Sequence, residues 1–179
     1  MKALIIVDLQ NDFMPTGALP VPQGDQIISH INAEMQKDYS VIVATQDWHP
    51  ANHKSFASQH VGKNPFDTVQ LNGIDQILWP DHCVQGTFGA ELHKDLDTRR
   101  ISAIFRKGMN PKIDSYSAFF DNNKLNNTGL HGYLQDKGIK ELVFCGLAGD
   151  FCVAYSANDA KALGYEVTIL ENCVKYINN

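Results

Sequence analysis

The sequence predicts an α/β protein of three layers, α/β/α, built on a doubly wound and mostly parallel sheet. Three observations carry that expectation. Residues 3–7 (ALIIV), 41–44 (VIVA) and 142–145 (LVFC) are continuous apolar runs, the pattern of strands buried on both faces, and such strands belong to parallel sheets. The runs alternate with segments of helical periodicity, the order that lays helices on both faces of a sheet. Each run also ends at a residue that turns the chain or carries chemistry: Asp8, Thr45 and Gly146.

Taken in order, the first strand stops at Asp8, and residues 11–24 (NDFMPTGALPVPQG) are rich enough in Pro and Gly to read as a long loop. Loops of that length in compact domains are often functional. Asp25 is placed to cap a helix that carries Ile27, Ile28, Ile31 and Met35 on one face. The second strand runs into Thr45-Gln46-Asp47-Trp48-His49-Pro50. Residues 50–90 are irregular, a short helix is expected over 90–96, and a third strand over 101–106 ends at Lys107-Gly108. Residues 109–127 form another loop. A helix with Leu130, Tyr133 and Leu134 stops at Gly138, and the strand at 142–145 follows. After Gly146, Asp150 is the expected N-cap of a helix that ends at Gly164, with Cys152 in its first turn. Residues 165–170 make a fifth strand.

Composition narrows the function. A chain of 179 residues, against about 150 residues per domain, reads as one domain over 1–179. A formal charge of −5 disfavours nucleic acid and anionic membranes as partners. No apolar run reaches the roughly 20 residues of a membrane span. The four cysteines, Cys83, Cys145, Cys152 and Cys173, lack the spacing of a disulfide framework, so a reducing, cytoplasmic setting is expected.

Ligands of parallel α/β sheets bind outside the carboxyl ends of the strands. Those ends carry Asp8, Asp47 with His49, Lys107, and Cys152. A thiol in the first turn of a helix is favoured as thiolate by unpaired N–H groups and the helix dipole. Asp8 is a candidate base for it if burial raises its pKa, and Lys107 would hold that carboxylate. The bland alternative is a structural ion pair beside an inert cysteine. Asp47 and His49 point the same way in an extended segment. With His82 they form an Asp/His/His set suited to zinc, iron or manganese, with His53 and Cys83 as rival ligands. Phe13, Trp79, Tyr116 and Phe151 are either the walls of a flat pocket or core.

The segments VDLQNDF from Val7, QDWHPANH from Gln46, WPDHCV from Trp79, Lys107-Gly108, DSYSAFF from Asp114 and GLAGDFCV from Gly146 occur together and in order. In this the chain resembles the nicotinamidases (pyrazinamidases) of the isochorismatase-like cysteine hydrolase superfamily, over essentially its whole length to Cys173. The resemblance implies hydrolysis of nicotinamide to nicotinate and ammonia through a thioester, with pyrazinamide as a further substrate. It implies a triad of Asp8, Lys107 and Cys152, an oxyanion site at the N–H groups of Ala148 and Cys152, and a cis Leu147–Ala148 peptide. It further implies one divalent metal ion, zinc first and iron or manganese next, on Asp47, His49 and His82, with His53 secondary. Phe13, Trp79 and Tyr116 match the residues lining the pyridine pocket. A small-molecule substrate is thus the expected partner, and a homo-oligomer is left open.

Three departures from the family pattern matter. Gly149 stands where Thr is usual and Phe151 where Tyr or His is frequent, which is expected to loosen the site. Family members also continue through another helix and strand, so either the chain is a truncated form or its sheet lacks an edge element. Two other functions stay in view: a cysteine hydrolase for another small amide or for isochorismate, and a metal-binding or redox-sensing protein that uses Cys83 and Cys152 with the histidines.

Overall fold

The computed structural model describes residues 1–178. Strands β1 (Lys2–Val7), β2 (Val41–Asp47), β5 (Ala103–Lys107), β6 (Glu141–Gly146) and β7 (Glu166–Val174) form a five-stranded sheet in the order β5-β2-β1-β6-β7. All four of its pairings are parallel. A separate antiparallel hairpin, β3 (Thr68–Leu71) and β4 (Ile74–Ile77), rises from the segment between β2 and β5. The helices are α1 (Ile28–Glu34), α2 (Leu130–Asp136) and α3 (Ala154–Ala162). None is long and apolar enough to cross a membrane.

The unbroken apolar runs have a direct cause. Leu4, Ile6, Ile42, Ala44, Val143 and Cys145 face one core cluster, with Ile28, Ile31 and Met35 packed against them. Their neighbours Ala3, Ile5, Val7, Val41, Val43, Leu142 and Phe144 face the other, with Leu130 and Leu134 of α2 and Ala157 and Ala160 of α3. Every residue from Ala3 to Val7 is fully buried, so alternation is erased because both faces are inside.

The structure revises several local expectations. No helix forms over 90–96: Phe88–Ala90 is a single 3-10 turn, and the Ala90 carbonyl accepts the side-chain amides of Gln10 and Gln46, so it is not available to a helix. Asp25 lies inside a 3-10 turn, Gly24–Ile27, that leads into α1 and has no side-chain cap. The third strand starts two residues later than expected, and the fifth extends to Val174. The hairpin was signalled by Asn72-Gly73, both left-handed with φ of 51° and 82°, the backbone of a two-residue type I′ turn.

The sheet delivers its chemistry at one rim. Asp8 follows β1 in the left-handed region, φ 47°, a conformation costly for a non-glycine residue and frequent at functional sites. Gly146 ends β6 with φ 113°, and a Cβ there would lie 2.1 Å from the Val7 carbonyl oxygen. Only glycine lets β6 approach β1 so closely at this point. Gly146→Ala is expected to cost about 2 kcal/mol or more, read as a lower urea midpoint with an unchanged m-value.

Candidate active site

Lys107, at the last position of β5, is the centre of the site and is 2% exposed. Its ammonium lies 2.8 Å from Asp8 Oδ2, donates to Asp47 Oδ1, to the Ser115 carbonyl at 3.1 Å and to Cys152 Sγ at 3.4 Å. Carboxylate oxygens of Asp8 and Asp47 and the Cys152 sulfur all lie within 4.8 Å of one another. The three residues of the expected triad therefore meet, although they come from three different strand ends. Thr45 fixes Asp8 from below: its hydroxyl donates to Asp8 Oδ1 at 2.6 Å and accepts from the Asp8 N–H at 3.2 Å.

The electrostatics follow from burial and from this one cation. Burial pushes the Asp8 carboxyl above its ordinary range; Lys107 pulls it down and Asp47 pushes it up, and the net direction is up. Burial opposes the charge of Asp47 too, but Lys107 and His49 outweigh it and hold that carboxyl well below the usual range. Lys107 is kept charged by Asp47 and Asp8 in spite of burial. Burial raises the Cys152 thiol well above its ordinary value, against the pull of Lys107. Both directions favour the protonated form of the Cys152 thiol and leave Asp8, not Asp47, as the carboxyl that protonates more readily.

Cys152 sits in the short π-helical turn Gly149–Val153 that precedes α3, with Ala148 as its cap residue. The Leu147–Ala148 peptide is cis, as the resemblance implied. The Ala148 N–H donates to no other group among the described residues. Asp150 is not the cap. Its carboxylate turns to the segment after β7 and accepts from the N–H groups of Ile177 and Asn178. The expected looseness at Gly149 is absent, because the Tyr176 ring and Val174 fill the space that a Cβ there would enter.

Beside the triad, Asp47, His49 and His82 each place a ligand atom within 4.8 Å of the others. The Nδ1 atoms of His49 and His82 bond the Gly108 and Pro80 carbonyls at 2.9 and 2.8 Å. A carbonyl partner makes Nδ1 the donor in each ring, so each ring, when neutral, directs its Nε2 lone pair at the cluster; burial opposes the charge of His49, but Asp47 outweighs it and raises that imidazole. Those Nε2 atoms stand 3.7 and 3.8 Å from Asp47 Oδ2, too far for a hydrogen bond and right for atoms that share a cation. Burial and His49 hold His82 below its ordinary pKa. Burial and then His49 push His53 down to about 4. Neutral imidazole is the form that ligates. His53 Nε2 is buried without a hydrogen-bond partner among the described residues, while its Nδ1 bonds the Ser55 hydroxyl. Cys83 joins none of the candidate ligand groups among the described residues, and burial pushes its thiol well up.

Phe13, Trp79 and Tyr116 line one cleft together with Leu19, Phe151 and Ile177, and Cys152, Ala148, Asp47, His82 and Asp114 reach it. Phe151 meets Trp79 edge-on at 5.0 Å and Tyr116 at 5.6 Å, while Trp79 Nε1 donates to the Tyr116 hydroxyl at 3.2 Å. Sequence reasoning passed over Gln10 and Asp114. The Gln10 side-chain amide donates to the Asp47 carbonyl and accepts from the Asp47 N–H, both at 2.8 Å, so it sets the height of that carboxylate. Asp114 is buried beside Gln76 at 3.1 Å and can join His49 and His53 as a ligand. Both lie in segments that had been singled out, but neither ends a strand.

Residues 2–179 match the model of the isochorismatase domain family. The chain is 48% identical over 180 residues to a nicotinamidase of Escherichia coli, covering 99% of this chain and 84% of that one. It is 51% identical over 176 residues to a nicotinamidase of Acinetobacter baylyi, covering 98% and 82%. Among solved structures, an Acinetobacter baumanii nicotinamidase/pyrazinamidase superposes with a TM-score of 0.96 at 46% identity, over 99% of this chain and 86% of that one. The L. infantum PnC1 protein in complex with nicotinate gives 0.88 at 41% identity, over 100% and 83%. A Pyrococcus horikoshii pyrazinamidase in complex with zinc gives 0.80 at 40% identity, over 99% and 87%.

The buried cation has a measurable consequence for the fold. Lys107→Met leaves Asp8 and Asp47 side by side with no counter-charge, and the expected loss is about 3–5 kcal/mol in chelator-treated protein at neutral pH. The two carboxyls of the variant then have native pKa values raised above their unfolded ones. Stability contributed that way is present at low pH and lost as pH rises, so the deficit against the parent shrinks on acidification toward about pH 5. Urea denaturation at two pH values checks both statements.

Proposed function

The chain belongs to the isochorismatase family, and from that premise we propose how its cleft works: it hydrolyses nicotinamide to nicotinate and ammonia, with Cys152 as nucleophile. Pyrazinamide presents the same carboxamide on a similar ring. One observation carries the reading. A thiol, an ammonium and a carboxyl with a raised pKa touch at the end of an aromatic cleft.

The aromatic ring of the substrate lies among Phe13, Trp79 and Tyr116, with the carboxamide toward Cys152. Asp8 takes the thiol proton as the sulfur attacks the carboxamide carbon. The C–S bond forms, and the carbonyl electron pair moves onto oxygen, facing the N–H groups of Ala148 and Cys152. Collapse breaks the C–N bond, and the leaving amine takes the proton from Asp8 and departs as ammonia. A water then gives a proton to Asp8 and adds to the thioester carbon. The thiolate leaves, recovers the proton, and nicotinate is released. Lys107 stays charged throughout and keeps Asp8 facing the sulfur.

Asp47, His49 and His82 are the residues we assign to one divalent cation, zinc first and iron or manganese next, with His53 Nε2 as an added donor. Support comes from the donor chemistry, from the two Nε2 lone pairs fixed by backbone carbonyls, and from the unpartnered His53 nitrogen. A cation there supplies a Lewis-acid charge that orients a ring nitrogen and activates water. Asp47 is shared between that group and Lys107, which ties the two halves of the site together.

Cys152→Ala is expected to abolish ammonia release from nicotinamide while metal content per chain is unchanged; near-parental activity would refute the mechanism. His82→Ala, in contrast, is expected to lower bound zinc by at least 10-fold in metal analysis after dialysis. The Cys152 thiol of that variant should still be alkylated by iodoacetamide.

A further inference from the structure

The cleft has one wall that none of the motifs supplies. Residues 175–178, after β7, pack against the turn that carries Cys152. The Gly149 N–H donates to the Lys175 carbonyl at 2.7 Å. Asp150 accepts from the Ile177 N–H at 3.0 Å, the Asn178 N–H at 2.9 Å and the Asn178 side-chain amide at 2.8 Å. The segment is also tied to the long loop after β1, since Lys175 Nζ donates to Gln23 Oε1 at 2.9 Å. That loop contributes Phe13 and Leu19 to the same cleft. Held in this way, the half-buried Ile177 side chain packs against the core cluster that contains Phe13, Leu19 and Trp79 and faces the cleft with them.

We propose that Ile177 is a specificity-determining residue that limits the size of the ring the cleft accepts, and that Asp150 is the positioning residue that holds it there. The proposal rests on the amide-hydrolase reading of the same site and adds to it a limit on the substituents that the ring of the carboxamide can carry. The physical argument is direct. Ile177 is an aliphatic side chain with its own backbone N–H clamped by a carboxylate, so its position is set to within one hydrogen bond. A wall of that kind discriminates by a methyl group at about 10-fold or more in kcat/KM. Asp150 lies two residues before the nucleophile, and its carboxylate binds the wall. The same short turn therefore presents the sulfur and fixes the boundary of the cleft.

The test measures kcat/KM for nicotinamide and for its ring-methylated derivatives, substituted at each ring carbon in turn. Ile177→Ala is expected to raise the ratio of methylated to unmethylated substrate by about 10-fold for at least one position. The KM for nicotinamide should rise more than kcat falls. Asp150→Asn keeps the side-chain volume and loses one acceptor, and it should shift the same ratio in the same direction for the same isomer. An unchanged ratio in Ile177→Ala overturns the proposal. A shifted ratio in Ile177→Ala with none in Asp150→Asn overturns the positioning role alone. Parental turnover of nicotinamide, measured alongside, reports on the underlying reading separately: if the parent releases no ammonia, the amidase reading itself has failed.

Discussion

One ammonium holds this site together. Lys107 is buried at the end of an edge strand and meets two carboxylates from two other strands, with the sulfur of a third element beside it. A charge so far from water is stable only because Asp8 and Asp47 surround it, and the carboxylates tolerate each other only because the ammonium lies between them. The asymmetry between the two acids is what makes chemistry available. Asp47, with His49 and His82 also close to it, is held toward its ionised form, while the Asp8 carboxyl is raised. Two like groups in unlike surroundings are thereby suited to the two roles proposed for them, acid–base partner and charge anchor.

The rest of the fold serves to make that meeting rigid. β1, β2, β5 and β6 are parallel and adjacent, so their carboxyl ends lie along one rim. Asp8 is held in a left-handed backbone by its bonds to Thr45, and Gly146 permits the close approach of β6 to β1 at the same level. Gln10 grips both main-chain groups of Asp47. Small, short-range constraints thus set the geometry of Asp8, Asp47, Lys107 and Cys152, which lie 39 to 144 residues apart in sequence.

Much of this was legible before any coordinates. The unbroken runs at 3–7, 41–44 and 142–145 announced a sheet buried on both faces, and the rule that ligands bind at the carboxyl ends of its strands pointed to Asp8, Asp47, Lys107 and Cys152. Family wording added the cis peptide and the aromatic wall. What was missed depends on contacts between distant loops. The Ala90 carbonyl binds two glutamine side chains and so stops a helix that local pattern favoured. Asp150 has the residue type of an N-cap, but the segment after β7 supplies better partners for its oxygens. Gly149 looked like a loss of packing until Tyr176 was found in the same space. The hairpin is different, since Asn72-Gly73 carried a clear turn signal inside a stretch dismissed as irregular.

Trapping the covalent species tests the central claim most directly. The protein is mixed with nicotinamide and quenched in acid within the first turnovers, then digested and mapped by mass spectrometry. The account requires a nicotinoyl thioester on the peptide that contains Cys152, and on no other cysteine. Ammonia release without any adduct at that residue, or an adduct on Cys83, Cys145 or Cys173 instead, would contradict it.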